Sequence, residues 1–169
     1  MQALYIFQLV LGVAGHQSNI VLPFAPRANI LAQDTLKKKN ITLMSTQSNL
    51  EQAADGLLMM SESDYPFEYF GTDDTDINDA LLLRLAGKPQ GTLIEKTTVD
   101  HLFRNMADPN SPSVKPETAA RFREFMESLK NELTDISVYR VGEIQVHVFI
   151  IGINLKGTVS GMRTLLIET

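Results

Sequence analysis

Leu50, Ala53, Ala54, Leu57, Leu58 and Met60 recur at spacings of three and four, the period of a helix with one apolar face. Ser48 and Glu51 stand at the spacing of a capping box, so the pattern predicts a helix that starts at Ser48 and runs to Ser61. Pro66 forbids helical continuation and biases Tyr65 towards an extended backbone, which makes residues 67–70 a strand. Residues 73–79 are polar. Residues 81–85 are apolar without a clear period, residues 87–91 (GKPQG) form a turn, and residues 92–97 form a strand.

Further along, residues 99–106 predict a short helix, and residues 107–115, with Pro109 and Pro112, a loop. Pro116 suits the first position of a long helix. In that helix Phe122, Phe125, Met126, Leu129 and Leu133 mark the inner face, while Arg121, Arg123, Glu124, Lys130 and Asn131 face water. Residues 138–141 lead through Gly142 into Ile144, Val146, Val148 and Ile150, which alternate with Gln145, His147, Phe149 and Ile151. A turn at residues 154–157 then returns the chain into a last strand over 158–167. Mixed helices and strands, the last strands antiparallel, define an α+β fold.

The chain has 169 residues, of which 44% are hydrophobic and 21% charged, enough for one packed core. The division is a segment of residues 1–43 followed by a domain of residues 44–169. Residues 3–15 are apolar and end in small residues like a signal peptide, but only Met1 and Gln2 precede them and the basic n-region is missing. Three readings stay open for residues 1–43: an extension upstream of a true start at Met44, a signal or membrane-proximal segment, or a disordered tail. The absence of cysteine removes disulfides, thiolate catalysis and Cys-ligated zinc, and fits a reducing, cytoplasmic setting.

Charge changes the picture more than composition does. The whole chain carries −5 and residues 1–43 carry +3, which leaves −8 on residues 44–169. Between Lys39 and Arg84 there is no Lys or Arg, whereas Glu51, Asp55, Glu62, Asp64, Glu68, Asp73, Asp74, Asp76 and Asp79 all fall there. Such a surface repels a nucleic-acid backbone and attracts proteins that bind one, so direct nucleic-acid binding is not expected.

Catalytic templates are missing: the chain contains no glycine-rich phosphate loop, no G-x-G-x-x-G and no H-E-x-x-H. His147 and His101 read better as sheet and helix surface residues than as general bases. Glu62 and Asp64 lie two apart in a loop without a visible nucleophile, a weak basis for acid–base work. Taken alone, SESDYPFEYF (residues 61–70) reads as a solvated turn with Tyr65, Phe67 and Phe70 anchored in the core.

Residues 50–70 (LEQAADGLLMMSESDYPFEYF), 138–152 (VYRVGEIQVHVFIIG) and 160–169 (SGMRTLLIET) together resemble the nuclease A inhibitor family, whose members block a sugar-non-specific, magnesium-dependent endonuclease of DNA and RNA. The resemblance implies an α-β-α sandwich of the pathogenesis-related-1-like type with a mostly antiparallel central sheet. It implies an inhibitor and not an enzyme, with a nuclease as protein partner, no membrane association and no cofactor of its own. It further implies that Glu62 and the terminal Thr169 reach the partner's magnesium, directly or through water. A hard cation that favours oxygen ligands suits both carboxylates. Asp64 and the loop residues Asp108, Asn110 and Ser111 complete the expected partner-binding set. In that loop the family can present an acidic residue and a tryptophan; this chain has no tryptophan. A non-nuclease partner for an acidic binding module of the same fold is the alternative.

Overall fold

The computed structural model describes residues 46–168; the N-terminal segment 1–43, with residues 44 and 45, and Thr169 lie outside the described residues. The first described element is helix α1, residues 46–54. Ser48 therefore sits inside a helix already under way, not at its cap. The Glu51 carboxylate accepts a hydrogen bond from the Gln47 side-chain Nε2 at 2.9 Å, one helical turn back. Thr46, two residues ahead of Ser48, is already helical and buried.

The expected continuation of α1 to Ser61 is also corrected. The helix ends at Ala54, and Gly56 takes the left-handed conformation at φ 68°, which turns the chain without a Cβ penalty. Leu57 drops into the core, and β1 (Leu58–Met59) pairs antiparallel with β2 (Tyr65–Pro66). Leu58 and Met60, assigned by periodicity to the inner face, are each 42% exposed.

A five-stranded antiparallel sheet forms the centre, ordered β3 (Glu68–Gly71), β7 (Val159–Ile167), β6 (Gln145–Ile153), β5 (Thr134–Val141) and β4 (Ile94–Thr97). Helix α2 (Asp79–Ala86) occupies the stretch whose period was unclear. Asn78 caps it by accepting from the Leu81 amide at 3.0 Å, and Leu81, Leu82 and Ala86 are buried. α3 (Val99–Phe103) is capped by Thr98 and is shorter than residues 99–106, though Met106 beyond it is still buried. α4 (Pro116–Glu132) starts at Pro116 and buries Ala119, Phe122, Phe125, Met126 and Leu129, with Leu133 buried just past its end.

Both faces of the sheet are covered. On one, Val138, Val146, Val148, Ile150, Met162 and Leu166 pack with α1, α3 and α4. On the other, Val141, Phe149, Ile151 and Val159 pack with Phe70 and α2. Successive strand side chains point to opposite faces, so β6 is apolar at consecutive positions because helices lie on both sides. Ile144, the first of the alternating set, precedes β6 and is 67% exposed. The chain is thus α+β, with an antiparallel sheet between helices. Among the described residues no helix is long and apolar enough to cross a membrane.

Candidate functional site

The hairpin of β1 and β2 positions the first acidic residue. Met59 lies opposite Tyr65, so residues 60–64 form the loop and Glu62 is its middle residue, exposed. Ser61 closes the loop locally: its hydroxyl donates to the Ser63 carbonyl at 2.6 Å and accepts from the Ser63 amide at 3.3 Å. Asp64 is exposed beside it. The hairpin is fastened on its far side. The Thr164 hydroxyl donates to the Tyr65 carbonyl at 3.4 Å, and Phe67 meets Phe103 and Phe125 at centroid distances of 5.8 and 5.2 Å. Phe70 goes to the opposite face, against Phe149 at 5.7 Å.

Glu68 lies at the start of β3. It faces Arg163 across β3 and β7, and its carboxylate accepts from that guanidinium at 2.9 and 3.1 Å. Asp74 is likewise bound to Arg84, at 2.5 Å. The chain thus supplies cations of its own to the acid-only stretch, from α2 and β7.

The loop of residues 107–115 is built round Asp108. Its carboxylate accepts from the Asn110 amide at 2.9 Å, and its carbonyl from the Ser111 amide at 3.1 Å. Buried Met106 and Val114 hold the two ends down, and Arg123 of α4 donates to the Ala107 carbonyl at 3.1 Å. Asp108 and Asn110 remain exposed, while Ser111 is half-buried.

The third segment is the C-terminal end. The Glu168 amide donates to the Ile144 carbonyl at 3.0 Å, one step past the last β6–β7 pair, Gln145 with Ile167. Its side chain is held by Arg140, whose Nη2 lies 2.6 Å from each carboxylate oxygen. Arg140 also pairs with Glu95 at 3.5 Å. Sequence reasoning passed over Arg140. The available signal was a lone arginine inside an apolar strand, which needs a carboxylate partner when half-buried.

These segments converge. A groove of about 830 Å³ is lined by Met59 and Met60 at the root of the Glu62 loop, by Asp108, Asn110 and Ser111, and by Arg140 and Glu168. Its charge is mixed, because Lys96, His101 and Arg104 line it beside Glu95. Glu62 and Asp64 follow Met60 at its lip in the chain, and Thr169, outside the described residues, is joined to Glu168. Among the described residues no three His, Asp or Glu side chains gather as metal ligands.

His147 lies elsewhere, in a shallow depression of about 330 Å³ with Tyr65, Glu68 and Arg163. Desolvation by partial burial pushes its pKa below the ordinary 6.5, and the charges of Lys88 and Arg163 push the same way. Its ring stacks at 6.4 Å on Phe149. His101 is exposed, and its neighbour Asp100 is engaged by Lys130 at 3.1 Å. Among the described residues neither imidazole is hydrogen-bonded to a nucleophile.

The sequence profile of the family described as NuiA, nuclease A inhibitor-like protein, matches residues 44–169. No curated protein matches the chain.

Proposed function

The chain belongs to the nuclease A inhibitor-like family, and from that premise we propose that it inhibits a magnesium-dependent, sugar-non-specific endonuclease of DNA and RNA by occluding its active site. One observation carries the reading: the root of the Glu62 loop, the 107–115 loop and the penultimate residue of the chain, far apart in sequence, border a single groove. Glu62 and the Thr169 carboxylate are the two oxygen donors that would reach the partner's magnesium. Such an ion takes only one or two protein carboxylates and keeps several waters, so two separately presented carboxylates suit it better than a closed cage. They stand in for oxygens of the scissile phosphate. Asp64, Asp108, Asn110 and Ser111 supply the surrounding polar contacts. Helices on both faces of the sheet support a scaffold of the pathogenesis-related-1-like type.

Electrostatics favours the encounter. A cleft lined with Lys and Arg for phosphate draws in a body of −8, which raises the association rate more than the final affinity. Glu68 and Asp74, already paired with arginines, add less to this field than the count of acids suggests.

The test is an inhibition assay on a magnesium-dependent non-specific nuclease, with the free chain and with a chain extended by a few residues after Thr169. The free chain is expected to inhibit and the extended chain to lose most of its potency. Equal potency would remove the terminal carboxylate from the mechanism; no inhibition of any such nuclease would remove the function.

A further inference from the structure

We propose that Arg140 is a positioning residue: it anchors Glu168 and so aims the terminal residue at the partner. This rests on the inhibitor reading for its function, and on the geometry alone for its anchoring. Arg140 lies on β5, while Glu168 follows β7; in the sheet β6 runs between them. Alternation puts Arg140 on the face of Val138, and Glu168 on the face of Leu166, both towards α3 and α4. The backbone of the two strands never meets, so side chains close the gap.

The grip is specific. Nη2 of Arg140 reaches both oxygens of Glu168 at 2.6 Å, Nη1 faces Glu95 at 3.5 Å, and the Arg140 side chain is only 28% exposed. Glu95 sits directly across from Arg140 in the β4–β5 ladder, so it steadies the guanidinium from the side opposite β6. Together with the Glu168 amide bond to Ile144, this holds the penultimate residue through both its backbone and its side chain. Glu168 is thus fixed before any partner binds. Preorganisation of this kind lowers the entropy cost of association and shows mainly in a slower dissociation.

The role of Arg140 is separable from a direct contact with the nuclease. Arg140→Gln and Glu168→Gln are each expected to weaken inhibition about tenfold, and the double variant no further than either single one, because both remove the same contact. In chains extended after Thr169, Arg140→Gln is expected to have no additional effect. A loss that persists there would mean that Arg140 touches the nuclease itself, and would overturn the proposal. Amide hydrogen exchange at Glu168 reads the anchor with no nuclease present: exchange is expected to speed up in Arg140→Gln, and to recover in part in Arg140→Lys. Unchanged exchange overturns the anchor whatever the inhibition assay gives. Faster exchange in a chain that inhibits no nuclease leaves the anchor standing and overturns its functional role, together with the inhibitor reading.

Discussion

Met59 faces Tyr65 across a two-stranded ribbon, and that pairing places Glu62 at the centre of the loop between them. The ribbon is too small to be stable alone, since two short strands bury little. It persists because Leu57, Met59 and Phe67 are buried in the core beneath it. An exposed carboxylate is thereby carried on a rigid base.

Replacing Glu62 with alanine is therefore expected to weaken inhibition by about 10- to 100-fold, the cost of removing one member of a charge-assisted contact at an interface. Ser61 and Ser63 close the loop locally, so the variant is expected to keep a cooperative thermal transition. Inhibition constants and calorimetry on the same preparations check both halves.

Salt separates steering from contact. Between about 0.05 and 0.5 M salt the association rate with the nuclease is expected to fall about tenfold or more, with a much smaller change in dissociation, because screening acts at a Debye length of ~10 Å at 0.1 M. Stopped-flow binding measures the two rates. An association rate indifferent to salt would leave the −8 body without a role in the encounter.

Gly161 tests the sheet. A Cβ there would stand 1.9 Å from the Ile150 carbonyl oxygen and 3.0 Å from the Ile151 Cα, all backbone of the neighbouring strand. Neither strand can yield at the middle of the sheet, so Gly161→Ala is expected to cost about 3 kcal/mol or more, seen as a lower urea midpoint or failure to fold.

Acid stability reads His147. Its folded pKa lies below the ordinary 6.5, so the unfolded chain takes up the proton first as pH falls. The stability linked to neutral His147 is full above pH 6.5 and is lost as pH falls through 6.5 towards the folded value. His147→Gln is expected to flatten the fall of the urea midpoint between pH 7.5 and about 5.5. An unchanged slope would mean that the imidazole titrates alike folded and unfolded.

Much of this molecule is legible from local pattern. The long helix after Pro116, the inward set Phe122, Phe125, Met126 and Leu129, the turn before the last strand and the loop held by Asp108 all follow from spacing, proline and turn chemistry within a few residues. The acid-only stretch and the motifs that resemble the family are equally visible, because they are properties of order along the chain. Local pattern misled where two signals competed. Ser48 and Glu51 look like a cap, and Leu58 and Met60 continue a helical stripe, yet residues 46 and 47 are already helical and the turn at Gly56 follows the helix end.

What order along the chain determined by itself was the kind of elements, the charge and the family. What only the tertiary structure decided was who meets whom: Glu68 with Arg163, 95 residues apart, and Glu168 with Arg140, 28 residues apart. Glu62 and Glu68 are the same residue type in one acidic run, but one tops a hairpin and the other faces an arginine across a sheet. The physical reason is that a helix, a cap or a turn is specified by neighbours in sequence, whereas an ion pair across strands depends on sheet order and register, which the packing of the whole core selects.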